Sequence, residues 1–432
     1  MNRRALAASI STAAALTLTL TACGRADAPP ADSSAPGETT AAIDDSPATG
    51  TIQVWAMGTE GELLDQLTAD FEADNPDATV EVTAVPWSDY MTKIQTAVAS
   101  GSTPDMTMVG TTDLAAAVAA DALAPVPEGL IDASAFFEGS AAAAQIDGTM
   151  FAVPWYVETR VMFYRSDLAE AAGVEAPTTW EETDTFFSAL EDGGAEYGTT
   201  IFTGAPNSYQ FVLPFLWQGG AQILSDDGTT WTFDTPEAEA GLAYYQSLIT
   251  DGHTAQNGPT NIGEVEPDIV AGNVGSIISG PWESSLLVAA GGQDFYDNQI
   301  AVAPLPAGPA GNTSWVGGAH MGVFKEAQNA DGAWKLVRWL SEPEVQQKWF
   351  DISFDLPSVA TAWDYSPIAD NPMYSVMREQ LDDTNSPPAV TTWPQVAAEM
   401  DAQIERVASG AATPAEALAA LQAEAESIGV GD

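Results

Sequence analysis

Hydrophobic and polar positions in the first part of the chain alternate between the spacings of strands and helices. Residues 51–55 alternate as in a strand, the apolar side chains of residues 63–71 recur at helical spacing, and residues 79–85 alternate again. A helix around residues 90–100 and a short strand after Asp105 continue the pattern. Strand, helix, strand, helix and strand with short connections predict an α/β fold with a mostly parallel sheet.

Helix starts are predicted by three capping boxes, in which a threonine and a glutamate three residues later satisfy each other's backbone amides. They are Thr59 with Glu62, Thr179 with Glu182, and Thr413 with Glu416. Further helices are predicted around residues 235–250 and 329–340. Since the same order of strands and helices resumes after residue 160, the pattern predicts two α/β lobes.

The N-terminus has the pattern of a targeting segment. An uncharged run follows two arginines and ends in Leu20-Thr21-Ala22-Cys23, which resembles a bacterial lipobox. We therefore predict a lipoprotein signal peptide at 1–22, a lipid on Cys23 and a flexible linker at 23–49, where large apolar residues are scarce. The lipid would hold the protein at the extracytoplasmic face of the cell membrane, or on the periplasmic side where an outer membrane is present. An ordinary signal peptide or an uncleaved anchor helix is the alternative.

Charge and residue counts exclude several classes of protein. The chain has 61 Asp and Glu against 12 Lys and Arg, a net charge of −49, which disfavours binding to nucleic acid and to anionic lipid. One cysteine allows no intrachain disulfide and no cysteine-built zinc site. His253 and His320 lie too far apart for an HExxH motif, and no phosphate-loop, GxGxxG or GxSxG motif is present. We expect neither a metal nor a cofactor.

Tryptophan is the side chain whose positions point to a ligand. Several of the 13 tryptophans lie at strand ends or beside Gly and Pro, where ligands gather in open α/β sheets. An aromatic face can stack on a pyranose ring, although each tryptophan could equally serve ordinary packing. The tryptophans in this context are Trp55, Trp87, Trp155, Trp282, Trp315 and Trp393, whereas Trp180, Trp334, Trp339 and Trp349 lie in predicted helices and suit a core.

Landmarks along nearly the whole chain after the lipobox resemble the bacterial extracellular solute-binding protein family 1, the carbohydrate receptors of ABC importers related to maltose-binding protein. The matching segments are 71–77 (FEADNPD), 99–105 (ASGSTPD), 153–160 (VPWYVETR), 172–182, 217–220 (WQGG), 279–282 (SGPW), 304–306 (PLP) and 315–318 (WVGG).

This resemblance implies a two-lobed periplasmic-binding-protein fold, type II-like, with a ligand cleft between the lobes. The chain would cross the hinge three times, near residues 156–160, 305–315 and 355–358. Lobe 1 would then comprise 50–157 and 316–356, and lobe 2 would comprise 158–315 and 357–432. The family also implies a non-enzymatic protein, which we expect to be a monomer, that delivers its ligand to ABC permease subunits with a cytoplasmic ATPase.

The resemblance and the tryptophan context together give the candidate ligand-binding residues. Trp282 matches a stacking tryptophan, Glu158 either bonds sugar hydroxyls or only pairs with Arg160, and the glycines at 317 and 318 would let backbone approach the ligand. Thr112 and Asp113 stand where relatives have an acid followed by a base. The full set is Trp55, Gly58, Thr59, Trp87, Thr112, Asp113, Trp155, Tyr156, Glu158, Asn207, Tyr209, Gln210, Trp282, Trp315, Gly317, Gly318 and Trp393.

The predicted ligand is a neutral mono-, di- or oligosaccharide. Phosphate and carboxylate ligands usually require Arg or Lys, and this chain has few of either. Two other classes stay open from the residues alone: a secreted carbohydrate-active enzyme of the glycoside hydrolase kind, and a structural surface lipoprotein without a ligand.

Overall fold

The structure is a computed structural model that describes residues 43–87, 89–261 and 263–431. The predicted signal peptide, Cys23 and the linker up to residue 42 lie outside the described residues. The strands are β1 (Gly50–Met57), β2 (Ala78–Val85), β3 (Met106–Gly110), β4 (Gln145–Ile146), β5 (Thr149–Met150), β6 (Val153–Thr159), β7 (Val161–Arg165), β8 (Ser276–Ser279), β9 (Ile300–Ala303), β10 (Ser314–Val323), β11 (Leu356–Pro357) and β12 (Thr384–Asn385).

Helices connect and cover these strands. They are α1 (Gly58–Asp74), α2 (Tyr90–Ser100), α3 (Leu114–Ala119), α4 (Glu138–Ala143), α5 (Ser166–Ala172), α6 (Trp180–Asp192), α7 (Tyr209–Gln218), α8 (Pro236–Thr250), α9 (Glu266–Ala271), α10 (Glu283–Gly291), α11 (Gln293–Gln299), α12 (Ala330–Leu340), α13 (Pro343–Ser353), α14 (Ser366–Ala369), α15 (Pro372–Leu381), α16 (Trp393–Ala408) and α17 (Pro414–Ile428). Short 3₁₀ turns occupy Thr111–Asp113, Ala133–Ala135 and Ala360–Asp364. No helix of the described ranges is both long and apolar enough to cross a membrane.

Two sheets form the framework of the described residues. The larger sheet has the order β11-β6-β10-β3-β1-β2, with β12 paired to β10, and the smaller sheet has the order β8-β7-β9. β2, β1 and β3 form a parallel block and β12 pairs in parallel with β10, but β10 runs antiparallel to both β3 and β6. The expectation of a mostly parallel sheet is therefore wrong: the larger sheet is mixed, and the smaller one is antiparallel.

Three chain segments connect the regions around the two sheets. β6 ends at Thr159 in the larger sheet and β7 begins at Val161 in the smaller one, so that Arg160 stands between them. β10 pairs with β12 through Ser314 and Trp315 before it pairs with β6. β11, the third segment, pairs with β6 beside the same point. This arrangement of two sheets joined by three segments is that of an α/β fold with two lobes.

Apolar side chains gather in three clusters. One lies against the larger sheet and includes Leu64 and Phe71 of α1, which the helical spacing predicted. A second joins α6, α7, α8, α16 and α17. The third takes residues from both predicted lobes, for example Val157 on β6, Phe163 on β7 and Trp363. The region where the chain crosses between the sheets is thus itself packed with apolar side chains.

Of the three predicted capping boxes, one forms. Thr413 and Glu416 satisfy each other's backbone amides at the start of α17. The box at Thr59 is wrong, because α1 already begins at Gly58 and Met57 takes the cap position. Thr179 does take the cap position of α6, but its side chain makes no capping hydrogen bond, so the box does not form. Glu182 accepts hydrogen bonds from the backbone N–H and hydroxyl of Thr178, both at 2.8 Å.

The end of the predicted linker lies against the folded body. Lys335 on α12 forms an ion pair with Asp44 at 2.9 Å, and the backbone N–H of Ala48 donates to Oδ1 of Asn75 at 2.7 Å. Ala48 is buried. Lys335 thus holds a short acidic segment in which no large apolar residue is buried. A linker prediction based on composition does not detect such an ion pair.

Candidate functional site

Arg160, between the two sheets, is the centre of the candidate site. Its side chain is 1% exposed, and its Nη1 lies 3.3 Å from Oε1 of Glu158. Nη2 donates to Oε1 of Gln210 at 2.8 Å. Burial lowers the pKa of Arg160, while the charge of Glu158 opposes that change. The salt bridge considered for Glu158 is therefore present, and Glu158 keeps 17% of its side chain exposed.

Around Arg160 stand four aromatic residues that we call the aromatic wall: Tyr209, Trp282, Trp315 and Trp393. The guanidinium lies 4.7 Å from the ring centre of Trp282 and 5.7 Å from that of Trp315, within cation–π range. Tyr209 meets Trp315 at 5.9 Å and Trp393 at 5.5 Å between ring centres. The indole N–H groups of Trp282, Trp315 and Trp393 are buried and have no hydrogen-bond partner among the described residues. Such donors are uncommon in folded proteins and call for a polar partner.

Three carboxyl groups that we call the acidic wall lie close enough to this region to interact with it through their charges: Glu60 and Asp355 with Glu158, and Asp113 with Tyr209. The hydroxyl of Tyr156 donates to Glu60 at 2.8 Å, and the indole of Trp349 donates to Asp355 at 3.0 Å. Tyr90 donates to Asp113. Burial raises the pKa of all three carboxyl groups, most strongly for Asp355, where the charge of Glu60 adds to the effect.

The two walls meet at the hydroxyl of Tyr209. Thr112 and Asp113, which belong to predicted lobe 1, lie beside this hydroxyl, which belongs to predicted lobe 2. Burial, reinforced by the charge of Asp113, raises the pKa of Tyr209 to about 12. Next to them, Thr111 donates to the backbone oxygen of Gly318 at 3.0 Å. The fold therefore brings together candidate residues, such as Thr112 and Tyr209, that lie almost a hundred positions apart in the chain.

Trp87 lies at the edge of the acidic wall. It is 39% exposed, and its ring meets that of Tyr90 at 5.5 Å. Gly58 has a positive φ of 56°, and a Cβ at this position would stand 2.7 Å from the indole nitrogen of Trp87. Glycine is required here for both reasons. Thr59 follows as an exposed residue in the first turn of α1.

Gly317 and Gly318 are needed for contacts within the protein. A Cβ at Gly317 would collide with the indole nitrogen of Trp315 and with Oε1 of Glu158. Gly318 has φ of 121°, and a Cβ there would collide with the backbone oxygen of Tyr156. The two glycines thus let β10 approach β6 at the candidate site, a packing reason beside the proposed approach to a ligand.

Asn207 and Tyr209 are held by a residue that the sequence did not reveal. Asp401 on α16 accepts hydrogen bonds from the backbone N–H groups of Asn207 and Tyr209, both at 2.8 Å. Burial raises the pKa of Asp401 to about 6. Asp355 and Tyr90 were missed in the same way. None of them belongs to a motif, and only the fold shows their partners.

Two candidate tryptophans lie apart from both walls. Trp55 lies in a groove of about 440 Å³ beside α2, with Nζ of Lys93 4.2 Å from its ring centre. Successive side chains of a strand point to opposite faces, which directs Trp55 to α2 and Val54 into the core. Trp155 is buried against Trp349, with ring centres 5.2 Å apart, in the core of the larger sheet.

A metal centre has no support in the described residues, where no three His, Cys, Asp or Glu side chains form a group that could hold an ion. His320 is buried without a hydrogen-bond partner, and burial lowers its pKa to about 4. His253 instead contacts Glu191 and Asp184 at 2.9 and 3.0 Å. What the site offers chemically is aromatic faces, hydrogen-bond donors and carboxyl acceptors.

The chain resembles known proteins both in sequence and in fold. The sequence model of the bacterial extracellular solute-binding proteins matches residues 56–347. The sugar-binding protein MalE from Xanthomonas citri is 30% identical, with a TM-score of 0.80 over 88% of this chain and 97% of its own. The GacH receptor of Streptomyces glaucescens, solved unliganded and with acarbose, has a TM-score of 0.79 at 24% identity, over 88% of this chain and 98% of its own. A diacetylchitobiose-binding protein of Streptomyces coelicolor is 25% identical over 67% of this chain and 68% of its own.

Proposed function

Since this chain belongs to the bacterial extracellular solute-binding protein family, we propose that it captures a neutral sugar, a mono-, di- or oligosaccharide, for an ABC importer. Membership in this family implies a binding protein outside the cytoplasm and not an enzyme. The observation that carries the proposal is the meeting of the aromatic wall and the acidic wall at Tyr209 and Asp113.

Sugar chemistry suits both walls. A pyranose has apolar C–H faces for tryptophan rings and hydroxyl groups that donate and accept hydrogen bonds. The unpaired indole N–H groups of Trp282, Trp315 and Trp393 can donate to sugar oxygens, and carboxyl oxygens of the acidic wall can accept from sugar hydroxyls. Relatives bind such ligands: one is a sugar-binding protein and another binds diacetylchitobiose.

The charges at the site support a neutral ligand. The guanidinium of Arg160 is already paired with Glu158 at 3.3 Å. A phosphate or carboxylate would have to compete with Glu158 for Arg160 and would stand near the acidic wall. An uncharged ligand has no such cost.

Delivery to the importer would follow closure of the two lobes on the sugar, with the segment around Arg160 acting as a hinge. The membrane permease and its ATPase would then recognise the closed form.

We propose that the lipid on Cys23 holds the receptor at the membrane. Replacement of this residue, Cys23→Ser, should release the protein into the soluble fraction with its sugar affinity unchanged; retention of the variant in the membrane fraction would contradict lipidation.

A thermal-shift screen of the chain without residues 1–22 tests the ligand. We expect one or more neutral sugars to raise the melting temperature and matched uronic acids or sugar phosphates to leave it unchanged. The bound sugar should be recovered intact after incubation. The proposal fails if no neutral sugar shifts the melting temperature, or if the anionic partner of a matched pair binds more tightly.

A further inference from the structure

Two glutamates that belong to neither wall are buried close to each other, and one of them, Glu283, directly follows Trp282 in the chain. Glu266 begins α9 and Glu283 begins α10, and they are 2% and 1% exposed. Their carboxyl groups are within hydrogen-bonding range of each other. Both oxygens of Glu266 and Oε1 of Glu283 have no partner among the described residues that could donate a hydrogen bond. If both buried carboxyl groups were ionised, they would repel each other with no neighbouring cation in the described ranges to offset the repulsion. A single shared proton removes it.

The groups around the pair supply hydroxyls. From β8, the hydroxyl of Ser279 bonds Glu283. From α11, Tyr296 lies near Glu283 but donates its hydroxyl to Ser284 at 2.6 Å. Arg165 on β7 reaches α9 through the backbone oxygen of Ile269 at 2.8 Å, yet its charge is paired with Asp167 at 2.7 Å. A proton is therefore the simplest way to balance the two carboxyl groups.

Glu283 is also joined to Trp282 through the backbone. The N–H of Glu283 donates to the oxygen of Gly280 at 3.1 Å, and Ser285 donates to the oxygen of Trp282 at 2.8 Å. Trp282 folds its ring over Gly280, where a Cβ would collide with it, and presents the ring to Arg160. A shift at the start of α10 would therefore move Trp282.

We propose that Glu266 and Glu283 share one proton near neutral pH and that this carboxyl pair is a positioning element that fixes Trp282 in the aromatic wall. Its consequence for a ligand rests on the proposed function. Burial, together with the charge of Glu266, raises the pKa of Glu283 to about 8. The folded protein then keeps a proton that the unfolded chain releases near pH 4.5. The contribution of the pair to stability is complete below pH 4.5 and is lost as the pH rises through about 8.

Thermal unfolding of the ligand-free protein between pH 5 and pH 9 tests the shared proton. The variants are Glu266→Gln and Glu283→Gln, whose amides can donate a hydrogen bond at every pH. We expect the melting temperature of the wild type to fall more steeply towards pH 9 than that of either variant, so that a variant melts above the wild type at pH 9. Parallel curves for all three proteins, or failure of both amide variants to fold, would overturn the shared proton.

Intrinsic tryptophan emission tests the positioning of Trp282. We expect a change in the emission of the wild type with a midpoint near pH 8, which is absent from Trp282→Phe and from Glu266→Gln. A change of the same size in Trp282→Phe would show that the pair does not act on Trp282. Neither measurement uses a sugar, so a failure here differs from a failure of the sugar screen.

Discussion

The acidic wall and the aromatic wall differ in how far the protein itself satisfies their polar groups. Glu60, Asp113 and Asp355 each accept a hydrogen bond from a tyrosine or tryptophan nearby. The indole N–H groups of the aromatic wall have no such partners in the described part of the chain. A ligand gains most where it satisfies groups that folding left unpaired. We therefore expect the aromatic wall to carry most of the affinity for the proposed sugar, whereas the acidic wall is held in place in advance.

Replacing the tryptophan of the aromatic wall that lies nearest to Arg160 should have the largest effect. Trp282→Ala removes a stacking face and an indole donor, which should cost about 2–4 kcal/mol of binding free energy, the scale of a buried aromatic hot spot. That corresponds to a rise in Kd of roughly 30- to 1,000-fold. Titration calorimetry with the sugar selected by the screen measures the loss, and a melting curve of the same variant should stay near that of the wild type.

Trp339 offers a matched control for Trp282→Ala. It lies on α12, partly exposed, and packs on Phe71 with ring centres 5.4 Å apart, remote from both walls. Trp339→Ala should lower the melting temperature and leave the Kd unchanged. If Trp282→Ala behaves like this control, with a large loss of stability and tight binding by the folded protein, the aromatic wall does not bind the sugar.

A smaller effect on affinity is expected at the ion pair of Glu158 with Arg160. Glu158→Gln would leave the guanidinium of Arg160 buried without its counter-charge at 3.3 Å, which should lower the free energy of unfolding by about 3 kcal/mol. Urea denaturation with and without sugar separates this loss from any loss of affinity. The exposed ion pair of Lys348 with Asp70 is the control, since Asp70→Asn should cost less than about 1 kcal/mol. Equal losses for both variants would mean that burial adds nothing to the Glu158–Arg160 pair.

The sequence predicted the elements of the fold better than the contacts of the site. Periodicity placed α2 and both ends of β2 within one residue, because local spacing determines which side chains can be buried. The capping motif failed at Thr59, because α1 already begins at Gly58. Family landmarks led to Trp282 and Glu158.

Asp355 and Asp401 could not be found from the sequence, since nothing local distinguishes them from the many exposed acidic residues of this chain. Asp401 accepts hydrogen bonds from the backbone of Asn207 and Tyr209, which lie 194 and 192 positions away in the chain. Asp355 acquires its raised pKa from burial beside Glu60. Such roles depend on long-range packing, which the pattern of one element does not contain.

The smallest effect on affinity is expected at Trp55, although its sequence context resembles that of the tryptophans in the aromatic wall. Its ring lies between Lys93 at 4.2 Å and Phe324 at 6.0 Å, in the groove beside α2. Trp55→Ala should therefore lower the free energy of unfolding by about 1–3 kcal/mol through lost packing. The Kd for the selected sugar should change by less than about twofold, which is below 0.5 kcal/mol. Titration of this variant beside Trp282→Ala gives the direct contrast. A loss of affinity at Trp55 as large as that at Trp282 would mean that the binding surface extends to the groove, and that the two walls alone do not form the site.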